Sequence, residues 1–224
     1  MAPFGTICTY TPNVRVMKAR AQAAGNINGL EIAVDPDFAM GKTNRSPEFL
    51  AKFPFGKVPS FEAPDGTTLF ESDAITQYIA ESGPASAQLM GSTPVQRALI
   101  RQWICFADGE VVNPVIRMCL WRVKLGQYDE TTETTCLQSI ERSLNLLEHH
   151  LKDRTWFATQ DKLSLADITM ASALCWGFQL IIDEEMRKNY PSVVAWYERT
   201  VESDGVKQAF GEKNFIDKRQ TYQG

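Results

Sequence analysis

The chain has 224 residues, 44% of them apolar, and its 23 Lys+Arg against 27 Asp+Glu leave a formal charge of -4. That apolar share suffices to bury a core and excludes a disordered chain, while the balanced, slightly acidic charge lacks the basic footprint of phosphate-backbone binding, so no nucleic-acid partner is expected. No apolar run reaches the ~18 residues of a membrane span, and the N-terminus lacks the charged-then-apolar order of a signal peptide, which points to a cytoplasmic chain with no membrane partner.

Residues 6–10 alternate hydroxyl-bearing and apolar side chains as a strand, and Val14, Met17, Ala21 and Ala24 then recur at helical spacing. Pro12 suits the first helical position, where a missing N–H costs nothing, and Gly25-Asn26 supplies a stop. Leu30, Ile32 and Val34 alternate as a second strand, and Ser46-Pro47 caps and opens a short helix. Residues 57–62 and 67–70 flank Pro64-Asp65-Gly66, the chemistry of a hairpin turn, and Ser72 opens a helix with Ala74, Ile75, Tyr78 and Ile79 on one face. The order βαβαββα predicts a thioredoxin-like sheet. Pro59 is odd inside this pattern, because a proline cannot donate to a ladder.

Past Gly83-Pro84 the alternation disappears. The reading places a thioredoxin-like domain over residues 1–84 and an all-helical domain over residues 93–224. Thr93-Pro94 begins a long helical pattern that Pro114 should kink or interrupt. Leu137, Ile140, Leu144, Leu147 and Leu151 step by three and four as the face of a bundle helix. Ser164 and Asp167 have the spacing of a capping box in its carboxylate form, a structural role, ahead of an Ala-, Leu- and Trp-rich helix expected at the bundle centre. Five scattered cysteines form no CxxC pair, and the adjacent His149 and His150 point apart on a helix, so neither structural disulfides nor a metal site is expected. Both histidines read as solvated.

The strings FPFGKVPSFE, LFESDAITQYIAE and LSLADITMA, in that order, resemble the glutathione transferase superfamily, and within it the fungal branch akin to the transferase-like domain of the elongation factor one B gamma subunit. That gamma subunit carries a further C-terminal domain with no counterpart here, which favours a stand-alone enzyme. The resemblance implies an α/β thioredoxin-like domain followed by an all-α bundle, with glutathione as co-substrate and a homodimer with Asp73 facing the partner. It makes Val58-Pro59 cis, with the Val58 backbone presented to the cysteinyl part of glutathione. It gives Glu71 and Ser72 the γ-glutamyl end, as a carboxylate suits an ammonium and a hydroxyl with helix N–H groups suits a carboxylate. Lys57, with Lys42 or Lys52 beside it, would meet the glycyl carboxylate.

Glutathione chemistry requires a thiolate, and a free thiol has a pKa of about 8.5. The resemblance places Thr11, four residues before Arg15, at the position of the thiolate-stabilising serine of the plant-type classes. Thr11 before Pro12 is equally a good helix N-cap. Tyr10 and Asn13 are the neighbouring alternatives, and Cys8 would serve a thiol-exchange mechanism of the omega kind. Met118 and Trp121 are candidates for the pocket of an apolar electrophile, against the plainer reading that apolar residues at helical spacing form core. The function implied is glutathione transfer to such an electrophile, in detoxification or fungal secondary metabolism; the competing reading is a non-catalytic interaction module of the gamma-subunit kind.

Overall fold

In the computed structural model, which describes residues 2–10 and 17–223, the first half is built on a four-stranded sheet. The elements run β1 (Gly5–Cys8), α1 (Met17–Asn28), β2 (Ile32–Val34), a 3₁₀ turn (Thr43–Arg45), α2 (Pro47–Lys52), β3 (Ser60–Glu62), β4 (Thr68–Phe70) and α3 (Ser72–Glu81). The sheet order is β2-β1-β3-β4: β1 pairs parallel with β2, Ile7 opposite Val34, and antiparallel with β3, Ile7 opposite Phe61. This is the thioredoxin-like topology expected from the sequence.

The local chemistry explains the element ends. Ser46 accepts from Phe49 N at 3.2 Å and caps α2. In the β3–β4 turn, Asp65 accepts from Thr67 N at 2.9 Å and Gly66 N donates to Ala63 O at 3.0 Å. Helix α1 runs on to Asn28, past the stop read at Gly25-Asn26. Gly25 sits inside the helix because a side chain there would meet Ile32, its Cβ falling 2.5 Å from the Ile32 side chain. The left-handed residue that ends α1 is Gly29, at φ 68°. Pro59 stands just before β3, where its missing N–H costs the ladder nothing.

The second half is helical: α4 (Ser86–Met90), α5 (Pro94–Phe106), a π-helical turn (Ala107–Val112), α6 (Asn113–Arg122), α7 (Glu130–Leu151), α8 (Leu165–Leu180), α9 (Glu184–Arg187), α10 (Pro191–Val201) and α11 (Val206–Phe210). Thr93 and Gln96 cap α5 reciprocally. Pro114 does not end the rod. Its missing N–H would leave the Glu110 carbonyl without its helical donor, and the π turn absorbs the defect while Ser143 Oγ approaches that carbonyl at 3.4 Å. The stripe of α7 is buried at Ile140, Leu144, Leu147 and Leu151, and α8 is buried on nearly every side. Among the described residues, no helix is long and apolar enough to cross a membrane.

Asn28 and Asn26 tie the halves together. Asn28 is buried; its Nδ2 donates to Ile79 O (2.9 Å) and Ala80 O (3.0 Å), and its Oδ1 accepts from Ala85 N (2.8 Å) in the connection to α4. Asn26 Nδ2 donates to Gly205 O at 2.8 Å, seating α1 on the start of α11.

Candidate functional site

The clearest cleft is lined by Phe53, Phe55, Gly56, Lys57, Val58, Pro59, Phe70, Glu71 and Ser72. Two segments build it, the loop between α2 and β3 and the turn from β4 into α3. The loop is pinned from below by buried Asn44, whose Nδ2 donates to Gly56 O at 2.7 Å and whose Oδ1 accepts from Gly41 N at 2.6 Å. The loop then enters β3 through a cis Val58-Pro59 bond. Lys57 is exposed, its Nζ 4.5 Å from the centre of the Phe55 ring.

On the other wall, Glu71 occupies the N-cap position of α3 at φ 68° and ψ 120° and makes no side-chain cap. A non-glycine residue in the left-handed half of the map costs about 1–3 kcal/mol and persists where its surroundings over-determine it, most often beside a functional site. Pairing of Phe70 with Ser60 holds the residue before it, and Ile75 N donates to Glu71 O at 3.0 Å after it. The conformation leaves the carboxylate exposed at the cleft wall while Ser72 begins the helix. One cleft thus gathers a carboxylate, a hydroxyl, a helix N-terminus and an ammonium, a set suited to a ligand carrying both charges.

The family model described as "Glutathione S-transferase, N-terminal domain" matches residues 7–81, and that described as "Glutathione S-transferase, C-terminal domain" matches residues 106–204. The chain is 50% identical over 223 residues to the glutathione S-transferase-like protein LUC7 of Fusarium sp, covering 100% of both chains. The chain belongs to the glutathione transferase family. It is also 36% identical over 215 residues to elongation factor 1-gamma of Danio rerio, covering 96% of this chain but 47% of that protein. The GST-like domain of elongation factor 1-gamma from Saccharomyces cerevisiae superimposes with a TM-score of 0.83 at 24% identity, covering 100% of each chain.

Within this transferase fold, Lys57, Val58, Pro59, Glu71 and Ser72 line one cleft, together with Phe53, Phe55 and Phe70. The aromatic wall was missed; its signal was the FPF run before the GKVP string. Asn44 was missed as well, because a lone polar residue in a loop carries no pattern. Lys52 is engaged elsewhere, its Nζ 2.7 Å from Glu62 Oε1. Lys42 is exposed at the N-cap of the 3₁₀ turn and does not line the cleft.

Asp73, expected to face a partner, pairs within the chain with Arg20 at 2.9 Å. Met118 is 0% exposed and packs in the helical core. Trp121 donates from Nε1 to Glu133 Oε2 at 3.1 Å and meets Tyr128 and Tyr222 edge-on, two rings that stack 4.2 Å apart. Neither residue lines the cleft described. Thr11 and Asn13 lie outside the described residues; Tyr10 is half-buried, two residues past β1.

The Cys8 thiol is pushed up to about 11 by burial and by Asp35, whose carboxylate it approaches at 3.7 Å. A thiol so placed stays protonated near neutrality, which opposes the thiol-exchange reading. All five cysteines are free thiols. His150, read as solvated, instead stacks on Phe157 and packs at a tilt against Trp103 (4.5 Å between centroids), with Nε2 2.9 Å from Phe157 O. The loop after α7 folds over that flank, and burial lowers its pKa.

Proposed function

We propose that this chain is a glutathione transferase that activates the glutathione thiol and joins it to an apolar electrophile. The observation that carries the reading is the convergence of Lys57, Val58 and Pro59 with the Glu71-Ser72 turn around one cleft. Glu71 takes the ligand's ammonium, Ser72 and the first N–H groups of α3 take the γ-glutamyl carboxylate, the Val58 backbone meets the cysteinyl unit, and Lys57 meets the glycyl carboxylate. Thr11 donates a hydrogen bond to the sulfur and so favours thiolate over thiol. The chain acts in the cytoplasm as a homodimer, its domains spanning residues 1–84 and 93–224, and it serves detoxification or fungal secondary metabolism.

Melting curves in millimolar glutathione test the first step: a ligand that binds only the folded state raises the melting temperature. No shift sinks the reading. Thr11→Ala should lower turnover at neutral pH by roughly tenfold or more, with glutathione affinity retained and activity largely restored in Thr11→Ser. A pure N-cap would instead lose about 1 kcal/mol of stability with turnover per folded molecule unchanged. Light scattering that gives only the 25.1 kDa monomer at micromolar concentration removes the dimer.

The likeness to elongation factor 1-gamma, at 36% identity, supports a second reading, a non-catalytic interaction module. Glutathione uptake without turnover of any aryl halide, epoxide or enone offered would favour it over the enzyme.

A further inference from the structure

Beside the cleft lies a second crevice, of about 530 Å³, between α3 and the α5–α6 rod. Glu71, Ser72, Asp73, Ala74 and Gln77 form one wall, and Arg101, Asp108, Val112 and Asn113 the other. The side chain of Arg20 is 1% exposed, and its Nη1 lies 2.9 Å from Asp73 Oδ1 and 3.7 Å from Asp108 Oδ1. Arg20 belongs to α1, Asp73 to the first turn of α3 and Asp108 to the π turn of the helical half. A guanidinium removed from water is expensive unless paired, and its two acidic partners come from opposite halves of the chain. The π turn adds to the case: such bulges are rare and recur at functional sites, and this one carries Asp108.

Asp73 follows Glu71 by two residues, within the turn whose strained backbone presents the Glu71 carboxylate. We propose that Arg20 is a positioning residue that, by holding Asp73 against Asp108, locks the Glu71-Ser72 turn in its ligand-gripping shape and ties that shape to the helical half. This rests on the reading of the cleft as a glutathione site. Arg20 touches none of the reacting atoms; it acts through Asp73 on the turn. The helical half would then influence glutathione grip without contacting glutathione, through a charge pair that spans the two halves.

Asp108→Asn is the probing variant, since Asp108 is 31% exposed and the amide keeps its size. Calorimetric titration with glutathione should show Kd raised about tenfold, in the usual range of coupling between separate sites. Turnover at saturating glutathione should stay within about twofold and the ligand-free melting temperature within about 3 °C, the shift a small loss of stability gives in a chain this size. Arg20→Lys keeps the charge without the fork and should fall between the two. An unchanged Kd in Asp108→Asn, or a loss seen in turnover alone, overturns the clamp and leaves the transferase reading intact. If the unaltered chain takes up no glutathione, the transferase reading falls, and amide exchange decides the clamp by itself. Exchange at residues 71–76 of the ligand-free protein should quicken about tenfold in Asp108→Asn, as local opening becomes easier, and unchanged exchange overturns the clamp.

Discussion

Helices α3 and α8 both begin with a serine and a carboxylate, and the two starts are put to opposite ends. At α8 the Asp167 carboxylate is fully buried and takes four donors: Phe157 N, Ser164 N, Ser164 Oγ and Trp196 Nε1, all within 2.8–3.0 Å. At α3 the Glu71 carboxylate is exposed, caps nothing and sits on a backbone at φ 68°. The first start is closed on itself and knits α8 to the preceding loop and to α10. The second is left open at a cleft, with strain where the other has hydrogen bonds. Acid and serine at a helix start therefore do not define a ligand site; what separates the two is whether the protein has already used their hydrogen-bonding capacity.

The largest expected effect comes from breaking the closed start. Asp167→Ala leaves four buried donors without an acceptor and should cost about 3 kcal/mol or more, read by urea unfolding, while the folded fraction keeps its glutathione affinity. Burial pushes the Asp167 carboxyl up against the pull of those donors, and Asp167→Ala removes the acceptor that all four share. A loss below about 1 kcal/mol, the worth of an ordinary single hydrogen bond, would erase the contrast with α3.

Changing Glu71 should do the reverse. Glu71→Gly relieves a left-handed conformation and should gain about 1 kcal/mol while abolishing measurable glutathione binding. Glu71→Gln should weaken glutathione by about tenfold, the scale of one charge-assisted hydrogen bond, with the melting temperature unmoved. Retained affinity in both variants would mean that the open start is not a ligand site.

A smaller effect is expected at His150. Unfolded, the imidazole takes its proton near pH ~6.5; folded, burial holds its pKa lower. Stability is then full above that pH and falls as acid protonates the unfolded chain first, the loss being complete below the folded pKa. The melting temperature should drop between pH 7 and pH 5, and His150→Gln should flatten part of that slope. Smallest of all is Cys8→Ala: with its thiol near 11, turnover should stay within about twofold. A collapse of activity there would restore the thiol-exchange mechanism and move the chemistry from Thr11 to Cys8.

Much of this molecule is legible in its residues alone. The period-two and period-3.6 patterns set the βαβαββα order and the helical half, because burial rewards one face of each element. Ser46, Thr93 and the Ser164/Asp167 pair mark helix starts locally, and the three motif strings name the family and point to Lys57, Val58, Pro59, Glu71 and Ser72. Other features depended on partners far apart in sequence. Whether Lys52 was free depended on Glu62 across the sheet, and the fate of Asp73 depended on Arg20 in another helix. His150 became half-buried because a later loop crosses it, Asn44 became a loop anchor because Gly56 folds back onto it, and Met118 faced inward because α6 is packed on that side. Local propensity acts over about four residues, and so it places elements and caps. Ion pairs and burial act through space, and only the packed chain decides which side chains meet.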